Sequence, residues 1–481
     1  MGRGPPRRQD RMSAEWRLTH RQPTDVEAVV TPVWSDDLPA ELTPAFRAGS
    51  GFSGAPGQTL HLPGAPVTVL LGCGPRAAYG RDTARTTGAR LARAVSGYRR
   101  LALRAPDAEL RALVEGYLLG GYRFAGYFSP VPATDQRIDL VTEDIPEART
   151  ALAAGLRIGE AVLLARDLVN EPGEALTPPE FADRALKIAA SSGLECEVWD
   201  GDRIAHERLG GLLGVSRGSL LPPRLVRLSY RPTADPAARR IALVGKGVTY
   251  DAGGLSLKPN AELAAMKADM AGAAAVLAAM STLTALNCPV AVDGWLPLTE
   301  NMPNGNPIRV GDVLRMRSGT TVEVRHADAE GRLILADALT LAGETTPDAI
   351  IDLATLTDAA AVALGRRITA VLGTDDALTD GLRSAGRRAG EELWPLPLPD
   401  SYRTQLASRV ADLANYTLGV RHGTALLAGL FLREFVPPDI PWAHLDIQGT
   451  ALSDTDDAEW TPGGTGVGVR TLIEYLLADG S

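Results

Sequence analysis

The run Arg325-His326-Ala327-Asp328-Ala329-Glu330-Gly331-Arg332-Leu333 sets two carboxylates and a guanidinium directly ahead of an apolar segment, Leu333 to Leu341. Val322 to Val324 alternate around Glu323 like the end of a strand, and Leu333 to Leu339 has the pattern of a mostly buried helix. The acids therefore fall in a strand-to-helix turn. Acids near a helix N-terminus are favoured by its exposed N–H groups and dipole, so one reading is a capped helix with Arg332 as a local ion partner. The other reading is a ligand-binding or catalytic turn, and a second cluster upstream favours it.

Gly245-Lys246-Gly247-Val248-Thr249-Tyr250-Asp251-Ala252-Gly253-Gly254-Leu255-Ser256-Leu257-Lys258-Pro259 follows the apolar run Ile241 to Val244, which has the length and composition of a buried strand. Its glycines let the chain approach a ligand closely. It is not a phosphate loop, because Lys246 is followed by Gly247 rather than Ser or Thr. Ala264 to Ala273 is helical in composition, with Asp269 on the face of Met266.

If Asp251, Asp269, Asp328 and Glu330 converge in apolar surroundings they need a counter-charge, since unpaired buried charge is costly. Divalent metal is the simplest answer. Carboxylates without a cysteine or histidine run suit Mn²⁺, Mg²⁺ or Zn²⁺, and this many suffice for two ions about 3.5–4 Å apart. One lysine near the ions could lose its proton and ligate as a neutral amine, while the other stays cationic and stabilises charge on a substrate oxygen. The carboxylates alone also permit a two-metal phosphoesterase, which the lysine and the absence of ligand histidines make a poorer fit.

At these residues the chain resembles the leucyl aminopeptidase family of two-metal cytosolic exopeptidases. The matching segments are Val244 to Gly254 with Lys258-Pro259, Met266-Lys267-Ala268-Asp269-Met270, and Asp328-Ala329-Glu330-Gly331-Arg332-Leu333. The likeness extends from about Ala165, through Asn170-Glu171-Pro172 and Leu176-Thr177-Pro178, to Gly466 through Leu476, and weakens before residue 150. The resemblance implies a tighter metal site at Lys246, Asp251, Asp269 and Glu330, and a more exchangeable one at Asp251, Asp328 and Glu330. It implies that Lys258 polarises the scissile carbonyl and that Arg332 holds a bicarbonate ion. Met266, Met270 and Thr355 match positions that shape the pocket for the first residue, with Leu356 and Asp358 beside them along the substrate. The implied activity is release of leucine-like, apolar N-terminal residues from peptides by a cytoplasmic homohexamer of two trimers.

Two positions depart from the family pattern. His326-Ala327 stands where Asn-Thr is usual, and His326 reads as a packing neighbour in the turn rather than a ligand. Asp358 stands where glycine is typical; it could cap the following helix, or its charge could narrow the choice of second substrate residue. With the arginine-rich N-terminus, these departures keep open an alternative in which a catalytically weakened relative binds DNA or acts as a structural oligomer.

A chain of 481 residues with 45% apolar content predicts two domains with substantial cores. The formal charge of −9 opposes general affinity for nucleic acid. Cys73, Cys196 and Cys288 are widely spaced and odd in number, which suits buried thiols in a reducing compartment. No segment is long and apolar enough to span a membrane. Residues 1–25 carry six arginines without an apolar core and read as a flexible basic tail rather than a signal. Residues 26–150 alternate strand and helix patterns, predicting an N-terminal α/β domain; 151–170 predict a linking helix, and 171–481 the catalytic domain. The fold class expected is α/β, each domain a mixed sheet flanked by helices, with the di-metal site on the C-terminal one.

Overall fold

The computed structural model describes residues 14–106, 108–128, 135–143, 145–232, 238–420 and 422–478. Two compact units are present, one of residues 1–163 with 454–462 and the other of residues 164–453 with 463–481.

The first unit is built on a sheet of strands β1 (Ala14–Thr19), β2 (Ala28–Val33), β3 (Thr59–Leu62), β4 (Val67–Gly72), β5 (Arg100–Arg104) and β6 (Gln136–Val141), in the order β1-β6-β5-β2-β4-β3. All neighbours are parallel except β3 and β4. The helices Arg81–Ala94 and Leu110–Gly120 pack backbone to backbone: a Cβ on Gly88 would meet the Leu113 carbonyl oxygen at 2.1 Å, and one on Gly116 the Arg85 oxygen at 2.0 Å. β1 corrects the expectation for residues 1–25. Within that supposed tail, Ala14–Thr19 pairs with β6, and Trp16 sets its ring edge-on to Tyr117 at 5.4 Å. The flanking arginines masked this strand's alternation; residues 1–13 lie outside those described. The helix Ile145–Asn170 covers the predicted linker and starts earlier, and the two units divide inside it at Leu163/Leu164.

The second unit holds strands β7 (Glu195–Trp199), β8 (Arg224–Tyr230), β9 (Arg240–Gly245), β10 (Gly247–Asp251), β11 (Ala291–Asn301), β12 (Val313–Arg315), β13 (Thr321–Glu323), β14 (Ala349–Ala354), β15 (Ile368–Gly373), β16 (Glu392–Pro395), β17 (Leu413–Ala414) and β18 (Trp442–Asp446). The nine-stranded sheet runs β16-β15-β18-β14-β9-β11-β8-β7, with β10 also on β11. Strands β14 and β18 are buried at every residue, as expected for parallel strands covered on both faces. Strands β12, β13 and β17 make a small separate sheet.

β9 and β10 are one strand interrupted at Lys246. Val244 pairs with Trp295 of β11 and Gly247 with Leu298, the same offset on either side of the break. Beyond it, a bulge at Thr249 lets Tyr250 pair with Glu300 and Asp251 with Asn301. Side chains alternate along a strand, so Lys246 and Asp251, five positions apart, would face opposite ways. The one extra residue of the bulge brings both to one side. Further along, the stretch Ala264 to Ala273, helical in composition, is not one helix but breaks: after the short helix Asn260–Leu263 it forms a single 3-10 turn, Met266–Ala268, and only then the start of the helix Ala271–Met280. Asp269 falls in that break, ahead of a helix whose every residue is buried.

Candidate metal centre

Lys246 is fixed through its backbone before its side chain is considered. Its N–H donates to the Leu353 carbonyl at the end of β14 (3.0 Å), and its own carbonyl accepts from Ala273 N in the first turn of the helix Ala271–Met280 (2.9 Å). That helix lies so close that a Cβ on Gly245 would be 2.6 Å from Ala273 Cα, which accounts for the glycine. The Lys246 side chain is buried, with Nζ 2.7 Å from Asp269 Oδ1, 3.0 Å from Glu330 Oε1 and 2.8 Å from the Thr355 carbonyl oxygen. Thr355 Oγ1 donates to the same Asp269 oxygen at 2.7 Å, while Asp269 Oδ2 is buried without a hydrogen-bond partner among the described residues.

On the other side, Lys258 Nζ lies 2.9 Å from Asp251 Oδ2 and 2.6 Å from Asp328 Oδ1. Gly253 N donates to Asp251 Oδ1 at 2.8 Å from a left-handed conformation (φ 87°) that glycine adopts without strain. Asp251, Asp328 and Glu330 each offer an oxygen, and these lie within 4.8 Å of one another. The segments that carry the chemistry in the sequence thus meet at the C-terminal ends of β10 and β14 and at the start of the helix Gly331–Glu344.

Four carboxylates and two ammonium groups leave this cluster short of positive charge. Burial, then mutual repulsion, pushes Asp269, Asp328 and Glu330 up from the usual carboxylate range even with the lysines present. Burial pulls both lysines down, but the acids around them outweigh it and the net displacement is upward. The expectation of a neutral lysine is therefore not met by the protein groups alone; cations at the acids would have to reverse the balance. Oxygen-rich donors, excess negative charge and an unpartnered buried carboxylate oxygen all fit divalent metal.

The capped-helix alternative does not describe this turn. Glu330 occupies the N-cap position of the helix Gly331–Glu344 without a capping hydrogen bond from its side chain. Arg332 makes no ion pair with the acids among the described residues: Nη1 donates to the Asn415 carbonyl at 2.8 Å, and Nε is buried without a hydrogen-bond partner among them. Burial lowers the Arg332 pKa to about 10. Asp358 is not a cap either. Thr357 caps the helix Asp358–Leu364 by accepting from Ala360 N at 3.2 Å, and exposed Asp358 accepts from Gln448 Nε2 at 3.2 Å. Of the other pocket candidates, Met270 is fully buried and Thr355 buried, while Met266 and Leu356 are half-buried. His326 packs its ring 4.8 Å from Tyr416, and burial, then Arg332 and Lys258, hold its pKa down. Of the cysteines, Cys73 and Cys288 are buried, whereas Cys196 is only partly so.

Two asparagines that sequence reasoning passed over complete the site. Asn415, just after β17, accepts at Oδ1 from Arg325 N (2.8 Å) and His326 N (3.4 Å) and donates from Nδ2 to the carbonyls of His326 (2.8 Å) and Ala329 (3.2 Å). Asn301, at the end of β11, donates to Asp251 Oδ1, the Ala327 carbonyl and Glu330 Oε2. Neither carries a local signal. Each is separated from its partners by tens of residues and marked only by pairings that the fold creates.

Residues 163–473 match the catalytic domain of the cytosol aminopeptidase family, and residues 36–130 match its N-terminal domain. The chain belongs to the cytosol aminopeptidase family. It is a metal-dependent aminopeptidase, a hydrolase, and the alternative of a DNA-binding or structural relative is not favoured. Similar curated proteins include a probable cytosol aminopeptidase of Leifsonia xyli subsp. xyli, 46% identical over 457 residues that cover 91% of this chain and 90% of the relative. Another, from Streptomyces griseus subsp. griseus, is 44% identical over 459 residues, covering 89% and 88%. Among solved structures, the bottromycin maturation enzyme BotP in complex with Mn has a TM-score of 0.86 at 44% identity, over 94% of this chain and 99% of that one. A mutant of tomato leucine aminopeptidase has a TM-score of 0.87 at 28% identity, over 98% of each. No helix among the described residues is long and apolar enough to cross a membrane.

Proposed function

We propose that this aminopeptidase releases leucine-like, apolar N-terminal residues from peptides with two divalent ions, held by Lys246, Asp251, Asp269, Asp328 and Glu330. The observation that carries the reading is the convergence of Asp251, Asp328 and Glu330 oxygens within 4.8 Å, bracketed by Lys246 on one side and Lys258 on the other. Such ions, when bound, supply Lewis acidity and a water acidic enough to act as a nucleophile near neutral pH. Manganese is supported by the Mn complex of BotP, and zinc is compatible with the same oxygen-rich set.

The chain's own groups do the rest. Lys258, kept charged by Asp251 and Asp328, is the cation available to a developing oxyanion. Arg332 offers a buried Nε–H, without a hydrogen-bond partner among the described residues, suited to a small anion such as bicarbonate. The Thr355 hydroxyl and carbonyl orient Asp269 and Lys246, which ties the floor of the first-residue pocket, with Met270 and Met266, to the cluster itself. Leu356 and Thr357 donate their N–H groups to Asp446 Oδ1 (3.2 and 3.4 Å), which steadies the backbone leading to Asp358. A cytoplasmic homohexamer belongs to the same reading, and a sizing measurement tests it.

The deciding experiment is hydrolysis of leucine p-nitroanilide and an unblocked dipeptide by metal-stripped protein, with Mn²⁺ or Zn²⁺ restored and Glu330→Ala as control. Activity that needs metal and a free amino terminus, and vanishes in the variant, supports the reading. Turnover that persists in Glu330→Ala, or none with both ions bound, overturns it.

A further inference from the structure

We infer that Asn301 is a positioning residue of this centre, its amide setting the Asp251 and Glu330 carboxylates for cations; the inference rests on the two-metal reading above. Asn301 is 2% exposed and ends β11, directly opposite Asp251 in the parallel register, and its carbonyl accepts from Ala252 N at 2.9 Å. Its Nδ2 reaches Asp251 Oδ1 at 2.8 Å, the Ala327 carbonyl at 3.1 Å and Glu330 Oε2 at 3.4 Å. All three partners are acceptors, so the chemistry fixes the amide with its nitrogen toward them. On the oxygen side the chain leaves room by having no side chain: a Cβ on Gly254 would come within 2.7 Å of Asn301 Oδ1.

The division of labour among the oxygens is what singles Asn301 out. The lysines take the other oxygen of each acid, Lys258 at Asp251 Oδ2 and Lys246 at Glu330 Oε1. Each carboxylate is therefore held from one side by a cation and from the other by a neutral amide. A neutral donor can order two carboxylates without competing with a divalent ion for their charge, which another lysine or arginine would do. The Ala327 contact adds the backbone next to Asp328, so one side chain links β10, the metal-binding turn and the first residue ahead of its helix. Outer partners of this kind are worth roughly 10–100-fold in metal affinity.

The test is calorimetric titration of Mn²⁺ into the metal-stripped full chain, with Mn²⁺ EPR on the loaded protein, for wild type, Asn301→Ala, Asn301→Ser and Asn304→Ala. Asn304 lies in the following exposed loop and serves as the control. The expected result is a roughly 10–100-fold weaker binding step for at least one ion in Asn301→Ala and an altered Mn–Mn EPR pattern, in a variant that still folds without metal at an unfolding temperature lowered by a few degrees. If Asn301→Ala does not fold, Asn301→Ser is read in the same way. Unchanged affinities and spectra in a folded variant overturn the inference. A wild type that binds no Mn²⁺ overturns the two-metal reading itself, and the wild-type titration tells the two failures apart.

Discussion

Replacing Asn415 by alanine removes a side chain whose four hydrogen bonds all go to one short stretch of backbone, Arg325 to Ala329, that leads into Glu330. Asn415 is 0% exposed, so water cannot take over its contacts without the surroundings opening. Two of the bonds are short, at 2.8 Å, and two are longer, at 3.2 and 3.4 Å. Counting about 1 kcal/mol for each short bond and a further 1–2 kcal/mol for partners left unsatisfied, the expected loss is about 3–4 kcal/mol. In a unit of this size that corresponds to a fall in Tm of roughly 5–10 °C. Asn415→Asp sharpens the argument. It keeps an acceptor for Arg325 N and His326 N but sets an oxygen against the carbonyls of His326 and Ala329, so it destabilises at least as much as alanine. Thermal unfolding of metal-free protein measures both. A Tm within 2 °C of wild type for either variant, on the order of 1 kcal/mol or less, refutes the view that this asparagine holds the turn.

Lys258→Ala is expected to lower kcat about 100–1000-fold with a much smaller change in KM, measured on leucine p-nitroanilide, since an oxyanion partner acts mainly in the transition state. Asp358→Gly should change the relative kcat/KM for dipeptides with basic against acidic second residues by a few-fold, about 1 kcal/mol for an exposed charge, while the first-residue preference stays; indifference of the wild type to that residue's charge removes the argument. Asp337 supplies a pH prediction. It is buried in the helix Gly331–Glu344, accepts from the N–H groups of Gly211, Leu212 and Arg317, and burial raises its pKa from 3.8 to about 7. The folded state therefore takes up this proton first as pH falls, and the stability linked to Asp337 declines as pH rises from about 4 to 7. Unfolding titrations should show Asp337→Asn losing that slope relative to wild type.

The sheet strands of the second unit were legible because parallel strands buried on both faces read as unbroken apolar runs, Ile241 to Val244 being the clearest. Asp251, Asp328 and Glu330 stood out for a related reason: charge beside such runs has few explanations. The end of β11 carries no such run, because Trp295 to Asn301 mixes proline, threonine and an acid, and its strand conformation comes from pairing with β8 and β10 rather than from its own pattern. The break of the helix at Asp269 was hidden because the residues around it are good helix formers. What decides there is tertiary: the Met266–Ala268 turn and Asp269 are held against Lys246 and Thr355. Asn301 and Asn415 lay beyond sequence reasoning because an asparagine is unremarkable until its partners are known.

The bulge at Thr249 makes the interval between Lys246 and Asp251 a counted length. Substitution and deletion should then have opposite standing in this stretch. Among the described residues the Thr249 hydroxyl makes only a long 3.4 Å contact, to the Thr299 carbonyl, and another small buried residue could fill its place. Loss of the residue would restore regular alternation, turn Asp251 to the far side of the sheet and part it from Asn301 and Lys258. Across related chains, variation in this stretch is thus expected in letters but not in number, and a gap opened between these two residues would by itself mark a chain that has given up the centre.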